Sequence, residues 1–390
     1  MGGSVMKLQY SKSKFQWEQR QRAGAVGGIL RSADTLLRGS FMRAQLDTVL
    51  NKTVMRVGSS AFTRQISRFC RNRLKAELQT RTMSRCARCM RVLFFLLPRI
   101  SLWPHSAGVE LTNDEIRRAV QAALAEDIGT GDATTLATVP AQAASTAAMR
   151  AREPLVVAGI AFAETAFREL SPEIHLERAL ADGQHAKEGE TLLKISGPAR
   201  AILTAERVAL NFVQRLSGVA TLTAQFVEAI RGTHTQIIDT RKTTPGWRRF
   251  EKYAVTCGGG KNHRIGLYDM ILIKDNHLAA LKGESPNPVA AAVRRAREQF
   301  PKLKVEVEAD TLEQVAQAID AGADFILLDN MTPIQLRLAV QKINGRAKTE
   351  ASGGVNLASV RVIAETGVDF ISVGAITHSA RGVDIGLDFE

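Results

Sequence analysis

The sequence contains little cysteine and few aromatic residues. Of its 390 residues 4 are Cys, and Phe, Trp and Tyr together make up 5%. A disulfide scaffold is therefore not expected, and a reducing cytoplasm fits this composition. The apolar run Val92–Leu97 is too short to cross a bilayer and lies too far from Met1 for an ordinary secretory signal. We accordingly expect a cytoplasmic protein with no membrane partner.

Acidic residues are scarce near the amino terminus. The first 109 residues hold 20 Lys and Arg but 4 Asp and Glu, whereas the remainder holds 32 and 35, so the net charge of +13 comes from the first part. Three interpretations of this leader, residues 1–106, remain open: an organelle-targeting presequence, a disordered nucleic-acid-binding tail, or upstream codons included by a mis-assigned start site. We favour the third and exclude the leader from the fold.

The cysteines give no strong metal or nucleophile signal. Cys86 and Cys89 form a C-x-x-C in the leader, but the spacing matches no established zinc pattern, so we interpret it as chance. Cys257 stands beside Gly258–Gly260 and is interpreted as a small packed side chain.

Basic side chains concentrate between Asp239 and His277. This stretch carries Arg241, Lys242, His263, Arg264 and Lys274 among glycines, threonines and a proline, between two apolar segments typical of strands, 234–239 and 269–274. Any one of these cations could be a solvated loop charge. Five of them converging between two strands indicate a pocket for a multiply charged anion.

The residues from 107 onward predict a compact α+β unit, and a helical pattern leads out of it. A helix should start at Thr112 or Asn113, and residues 143–202 show a strand-like pattern interrupted by one helix over about 161–170. Residues 203–232 are helical, with an expected break near Ser217–Gly218. His175 and His185 are interpreted as surface or turn residues, so this unit shows no catalytic cluster.

Strands and helices alternate from residue 304 onward. Apolar strands are predicted at 304–308, 324–329, 347–350 and 369–373, each followed by a helical or turn pattern. This alternation predicts parallel strands covered by helices. Charged or glycine-rich segments follow the strands, so a site is expected at their carboxyl ends, in either an open sheet or a barrel.

Three motifs carry a resemblance to a known family. DTRKTTPG, CGGGKNHR and LYDMILIKDNH resemble the signature of the quinolinate phosphoribosyltransferases, and the similarity runs from about Val109 to Phe389. The late start of this similarity is the reason for favouring a mis-assigned start. The resemblance implies an incomplete parallel α/β barrel preceded by a smaller α+β domain. The expected divisions are the leader 1–106, an α+β domain 107–216, a barrel 217–376 and a C-terminal segment 377–390.

The family also implies an activity and a set of site residues. The substrates would be quinolinate and phosphoribosyl pyrophosphate, and the products nicotinate mononucleotide, pyrophosphate and CO₂. Quinolinate would be bound by Arg207, Arg241, His263, Arg264 and Lys274. Phosphoribosyl pyrophosphate would be bound by Lys242, Glu308, Asp329, Ser352, Gly353, Gly354, Gly374 and Ala375. Catalytic roles would fall to Lys242, Lys274, Glu308 and Asp329.

A metal ion and a second subunit are implied as well. Mg²⁺ is expected at Glu308 and Asp329, partly through phosphate oxygens and water; Glu306 is the alternative to Glu308, because it points the same way along its strand. The family's counterpart of Arg207 reaches the substrate of the neighbouring subunit, which implies a homodimer with a shared site and leaves a higher oligomer open.

Two other functions remain as alternatives. A related phosphoribosyltransferase would act on nicotinate or another small acid, as does the paralogue found with molybdenum transport. A nucleic-acid-binding protein would instead use the basic leader. The complete set of Arg241, His263, Arg264 and Lys274 favours the dicarboxylate over nicotinate. No nucleic-acid partner is expected.

Overall fold

A computed structural model of the chain describes residues 108–390. The predictions made for the leader, including the one for Cys86 and Cys89, lie outside these residues. Within the described part, no helix is both long enough and apolar enough to cross a membrane.

The first half of the described chain mixes helices with short strands. In chain order its elements are α1 (Asn113–Ile128), α2 (Ala133–Thr138), β1 (Ala144–Ala151), β2 (Leu155–Val156), α3 (Ile160–Leu170), β3 (His175–Arg178), β4 (His185–Ala186), β5 (Thr191–Pro198) and α4 (Ala199–Ala229). Helix α1 begins after Thr112, whose side chain accepts a hydrogen bond from the Glu115 backbone N–H. The first of the two predicted caps is therefore confirmed.

The second half alternates strands and helices. Its elements are β6 (Gln236–Ile238), α5 (Arg248–Cys257), β7 (Ile271–Ile273), α6 (Asp275–Ala279), α7 (Pro288–Gln299), β8 (Val305–Ala309), α8 (Leu312–Asp320), β9 (Phe325–Asp329), α9 (Pro333–Ile343), β10 (Lys348–Ser352), α10 (Val360–Ala364), β11 (Phe370–Ser372), α11 (Ala375–His378) and β12 (Ile385–Phe389). Every strand predicted in this half is present, within a few residues of its expected bounds.

An antiparallel sheet organises the first unit. Its order is β12–β1–β5–β3, so the last strand of the described residues pairs with their first, Ala147 lying opposite Phe389. Part of the segment 377–390 thus completes the sheet of the α+β unit. The pairing joins residues more than 200 positions apart, which local sequence patterns do not reveal.

Helix α4 corrects two expectations. It runs without interruption from Ala199 to Ala229, so the strand-like interpretation of its first turn and the break near Ser217–Gly218 were both wrong. Small residues serve close packing here: Ser217 Oγ accepts from the Ala158 backbone N–H at 2.9 Å. A Cβ on Gly218 would lie 1.9 Å from the carbonyl oxygen of Arg381. Tertiary contact therefore outweighs the weak helix propensity of glycine.

The second unit is a six-stranded parallel sheet flanked by helices, in the order β6–β11–β10–β9–β8–β7. Strands β6 and β7 end this order, and no strand pairing within residues 108–390 joins them. An isolated bridge from Ile238 to Lys261 occupies the other side of β6. The predicted incomplete barrel is therefore confirmed.

The two faces of the parallel sheet bury different side chains. Val307, Ile326 and Ile371 belong to the main core, which the flanking helices share. The opposite, inner face carries a separate apolar cluster of Ile238, Met270, Phe325 and Phe370. Because side chains alternate along a strand, Glu306 and Glu350 also lie on this inner face. The barrel interior therefore has an apolar part and a polar part.

Candidate active site at the carboxyl ends of the parallel strands

Most of the expected site residues stand where parallel strands end. Lys274 follows β7, Glu308 and Asp329 lie in the last residues of β8 and β9, Ser352 ends β10, and Gly374 follows β11. Because carboxyl ends of parallel strands meet at one rim, the fold brings these residues to the same side of the barrel. Arg241 and Lys242 reach that side from the loop after β6.

Arg241 presents a hydrogen-bond donor without a partner. Its side chain is half-buried, and its Nε atom is buried without a hydrogen-bond acceptor. A buried unpaired donor costs free energy unless something supplies an acceptor. The Nε–H of Arg241 can therefore donate to an oxygen of a ligand, because the described chain provides no acceptor for it.

Lys242 lies against the glycine that follows β11. A Cβ on Gly374 would stand 3.1 Å from Cδ of Lys242, so a larger residue there would crowd the lysine. Thr377 Oγ1 donates to the Lys242 carbonyl oxygen at 2.7 Å, which ties the loop to α11. Two residues expected to bind phosphoribosyl pyrophosphate are therefore neighbours.

A buried ion pair underlies the loop after β6. The side chains of Lys252, on α5, and Asp239, just after β6, are both 0% exposed and contact each other directly. Lys252 Nζ also donates to the His263 carbonyl oxygen at 3.0 Å. Asp239 accepts from the His263 backbone N–H at 2.8 Å and from Asn262 Nδ2 at 2.7 Å. Burial raises the pKa of Asp239 and lowers that of Lys252, while their mutual attraction acts against both shifts.

His263 lies inside the barrel with two carboxylates. Its Nε2 is 3.0 Å from Glu306 Oε2 and 3.4 Å from Glu350 Oε2, and its Nδ1 accepts from the Arg264 backbone N–H at 2.7 Å. Burial opposes a charge on the ring, whereas the carboxylates of Glu350 and Glu306 favour one and raise the pKa of His263 above its ordinary value. Both ring nitrogens are thus engaged by the protein.

The protonation of this cluster follows from its hydrogen bonds. Burial and the Glu350 charge raise the pKa of Glu306 to about 7. Burial also disfavours an ionised Glu350, yet the neighbouring His263 outweighs it and lowers the pKa. The Arg264 backbone N–H points at Nδ1, which must therefore accept, so the ring carries its one proton on Nε2, where Glu306 accepts it.

The geometry of this cluster is that of side chains hydrogen-bonded to one another and not that of a metal centre. Donor atoms of His263, Glu306 and Glu350 all lie within 4.8 Å of one another, close enough for a metal ion to bridge them. A histidine whose Nδ1 accepts a hydrogen bond keeps a proton on Nε2, however, and that nitrogen then cannot ligate a metal. We therefore interpret these residues as the polar floor of the barrel.

Arg264 is a second buried guanidinium. It is 7% exposed and donates from Nη1 to the Met270 carbonyl oxygen at 3.2 Å. Burial and then the nearby positive charge of Arg241 lower its pKa. Two like charges held together in a partly dry pocket favour an anionic ligand.

The carboxylates at the rim contact polar neighbours. Lys274 Nζ donates to Glu308 Oε2 at 2.9 Å, which places the two residues expected at β7 and β8 in direct contact. Asn330 Nδ2 donates to Asp329 Oδ2 at 2.7 Å.

The turn after β10 requires its glycines. Gly353 and Gly354 adopt positive φ angles of 98° and 58°, and a Cβ on Gly353 would lie 2.1 Å from Asn330 Oδ1. The Asn330 backbone N–H donates to the Ser352 carbonyl oxygen at 3.0 Å. The turn is thus held close to Asp329, and its backbone is exposed.

Arg207 is the one expected quinolinate residue outside this group. It is exposed on α4, and no hydrogen bond or ion pair within residues 108–390 joins it to the rim. Ala375, the last expected residue, begins α11 beside Gly374.

The sequence interpretation missed the buried polar residues beneath the site. Asp239, Lys252, Asn262 and Glu350 were not among the candidates. The only sequence signal was that Asp239 and Asn262 lie within the motifs DTRKTTPG and CGGGKNHR. Helical periodicity cannot tell which charged residue of the amphipathic α5 turns inward.

Comparison with known proteins identifies the family of this chain. Residues 132–217 match the family model "Quinolinate phosphoribosyl transferase, N-terminal domain", and residues 219–388 match the corresponding C-terminal domain.

Individual relatives agree with the family models. The carboxylating nicotinate-nucleotide pyrophosphorylase of Mycobacterium leprae is 45% identical over 281 residues, covering 70% of this chain and 97% of the relative. The chloroplastic enzyme of that name from Arabidopsis thaliana is 42% identical, covering 71% of this chain and 83% of the relative. A solved nicotinate-nucleotide pyrophosphorylase from Francisella tularensis superposes with a TM-score of 0.68 at 40% identity, covering 72% and 98% of the two chains. The resemblance inferred from the motifs is confirmed, and this chain belongs to the quinolinate phosphoribosyltransferase family.

Proposed function

We propose that this chain transfers the phosphoribosyl group of phosphoribosyl pyrophosphate to quinolinate with loss of CO₂, giving nicotinate mononucleotide and pyrophosphate for NAD biosynthesis. The observation that carries the proposal is the closeness of two arginines. Arg241, whose buried Nε has no acceptor, lies near the buried Arg264. A ring with two adjacent carboxylates supplies the oxygens that such a pair lacks.

The quinolinate pocket uses cations of different kinds. Arg241 and Arg264 can hold carboxylates through two parallel hydrogen bonds, and Lys274 adds a point charge at the end of β7. His263 lies just beneath them, where its Nδ1 holds the Arg264 backbone N–H. Arg207 enters the site of the neighbouring subunit in a homodimer, which accounts for its exposed position on α4.

Phosphoribosyl pyrophosphate binds across the other half of the rim. Lys242 faces the pyrophosphate, Glu308 and Asp329 accept from ribose hydroxyls, and the exposed turns Ser352–Gly354 and Gly374–Ala375 receive the 5′-phosphate. The close approach of Gly353 to Asn330 and of Gly374 to Lys242 supports this arrangement, since a side chain at either glycine would fill the space beside these groups.

Glu308 and Asp329 suit Mg²⁺ by their chemistry. Both are carboxylates at the ends of adjacent strands, and Mg²⁺ prefers a few such oxygens together with phosphate oxygens and water. When bound, the ion would neutralise charge on the departing pyrophosphate. Glu306 does not suit this role, because it is 0% exposed and bonded to His263.

The reaction follows from these positions. The pyridine nitrogen forms a bond to the anomeric carbon while the bond from that carbon to pyrophosphate breaks. Quaternisation of the ring nitrogen then stabilises the electron pair left when the neighbouring carboxylate departs as CO₂, and that carbon takes a proton from solvent. The chain contributes position and electrostatics: the arginines align the ring, and Lys242 stabilises the leaving group.

A product assay on the full chain tests the proposal. Phosphoribosyl pyrophosphate and Mg²⁺ are supplied with quinolinate in one reaction and nicotinate in a second. We expect nicotinate mononucleotide and CO₂ from quinolinate alone. Turnover of nicotinate would favour the related phosphoribosyltransferase instead, and no product in either reaction would overturn the proposal.

We place the enzyme in the cytoplasm. The Arabidopsis thaliana relative is named chloroplastic, so import of the full chain into an organelle is the competing outcome. Fluorescence of a carboxyl-terminal fusion, with and without residues 1–106, distinguishes the two.

A further inference from the structure

The buried contact between Lys252 and Asp239 has no part in the chemistry described above. Both side chains are 0% exposed. Removing two charges from water is costly, and an apolar pair of similar shape often stabilises a fold equally well. Stability alone therefore does not explain why the chain buries this ion pair. The other hydrogen bonds of Lys252 and Asp239 indicate its role.

The pair holds the backbone of His263 from both sides. Asp239 Oδ1 accepts from the His263 N–H at 2.8 Å, and Lys252 Nζ donates to the His263 carbonyl oxygen at 3.0 Å. Asn262 strengthens the same junction, because its Nδ2 donates to Asp239 Oδ2 at 2.7 Å and to the Lys252 carbonyl oxygen at 2.8 Å. Three parts of the chain, the residue after β6, helix α5 and segment 261–264, therefore meet at one ion pair.

Two of these segments lead directly to a cation of the pocket. Asp239 stands two residues before Arg241, and His263 stands immediately before Arg264. Burial is the first cause of the lowered pKa of Arg264 and the positive charge of Arg241 is the second, so the two guanidinium groups repel each other in the absence of a ligand. Loops carrying like charges would move apart unless something held their backbones together. The ion pair supplies that restraint at the base of both loops.

We propose that Lys252 and Asp239 are positioning residues that set the separation of Arg241 and Arg264, and thereby select a ligand with two adjacent carboxylates over one with a single carboxylate. The inference rests on the proposed quinolinate pocket and adds the origin of its specificity. A preformed spacing benefits only a ligand that contacts both arginines at once.

The double variant Lys252→Met/Asp239→Asn tests this role. It removes both charges but nearly keeps the shape, so a buried charge is not left unpaired and the fold should persist. Calorimetry measures the affinities of the full chain for phthalate, which carries two adjacent carboxylates, and for benzoate, which carries one. We expect the ratio of the two affinities to fall about tenfold, the equivalent of one charge-assisted hydrogen bond, with benzoate binding little changed.

A matched control removes an ion pair elsewhere in the same barrel. Lys348 Nζ contacts Asp369 Oδ1 at 2.6 Å at the amino ends of β10 and β11. The variant Lys348→Met/Asp369→Asn should leave the phthalate to benzoate ratio at its wild-type value. A ratio that falls equally in both variants would show a general loosening and overturn the proposal.

Further outcomes separate the inference from the proposed function. An unchanged ratio in the folded Lys252→Met/Asp239→Asn variant overturns the positioning role. If circular dichroism shows that this variant does not fold, Asn262→Ala decides, since it weakens the junction but keeps the ion pair: a lower ratio supports the proposal and an unchanged one overturns it. A wild-type chain that binds neither probe would refute the quinolinate pocket itself.

Discussion

The two ends of the barrel differ in how completely their charged side chains are paired within the chain. At the amino ends, Asp324 accepts from Lys304 Nζ at 2.8 Å and from Arg297 Nη2 at 2.6 Å, and Asp369 is similarly paired with Lys348. At the carboxyl ends, Arg241 and Arg264 lie close enough to repel, and Arg241 keeps a buried donor unsatisfied. One end satisfies its charges within the chain and adds stability. The other pairs Lys274 with Glu308 but leaves the two arginines for a ligand.

Removing a charge from the carboxyl end should have the largest effect on activity. Arg241→Met deletes charge-assisted hydrogen bonds to a substrate carboxylate, so we expect kcat/KM for quinolinate to fall about 100-fold or more. Thermal stability should stay the same or rise, because the repulsion with Arg264 is lost. Steady-state kinetics and a thermal melt measure the two quantities.

The control for this variant is Arg361→Met. Arg361 is an exposed arginine on α10 that pairs with Glu365, so its removal should change neither quantity appreciably. A loss of only a few fold in Arg241→Met would mean that the unpaired donor does not serve the substrate.

Arg207 tests whether the carboxyl-end site is completed by a second subunit. If this exposed residue completes a neighbour's site, mixing Arg207→Ala with Arg241→Ala should restore part of the activity, since one site of each heterodimer would then be intact. The measurement is the specific activity of tagged, purified heterodimers against each parent variant. Heterodimers no more active than their parents would place Arg207 outside a shared site.

A substitution at the amino end of the barrel should lower stability and leave catalytic activity unchanged. Asp324→Asn weakens contacts with Lys304, Arg297 and the Val305 N–H, and a loss of about 1 kcal/mol should lower Tm by about 2–4 °C at neutral pH. The value of kcat/KM below the melting range should be unchanged. A Tm equal to that of wild type at neutral pH would contradict this role.

The same variant should show a defined pH dependence. Burial raises the pKa of Asp324, but Lys304, the Val305 N–H and Arg297 outweigh it and bring the pKa below its ordinary value of 3.8. A lowered pKa means that the stabilisation is fully present above that ordinary value and is lost as the pH falls through the folded pKa. Thermal melts of wild type and Asp324→Asn should therefore converge only in acid, below about pH 4.

The architecture could be predicted because its signals are local. Strand β9, for example, is an uninterrupted apolar run ending in Asp329, and α9 has Thr332 and Pro333 at its start and Asn344 at its end. Alternation of such units implies parallel strands, and parallel strands imply one functional rim. The family motifs then assigned residues to that rim.

The remainder depended on contacts distant in the sequence. Gly218 signals a helix break locally, and only the approach of Arg381 explains why the helix continues. Lys252 resembles any other charge on an amphipathic helix until Asp239 is placed beside it. Strand β12 becomes recognisable as a partner of β1 only when both ends of the unit are folded.

The pairing of β12 with β1 bears on the order in which the molecule can assemble during synthesis. The α+β unit is translated before the barrel, yet its sheet lacks an edge strand until residues 385–389 have left the ribosome. Strand β1 must therefore keep one side open while more than 200 further residues are added. A nascent chain that stalls inside the barrel would present that open edge to other chains, which makes unfinished copies of this protein candidates for chaperone binding or edge-to-edge association.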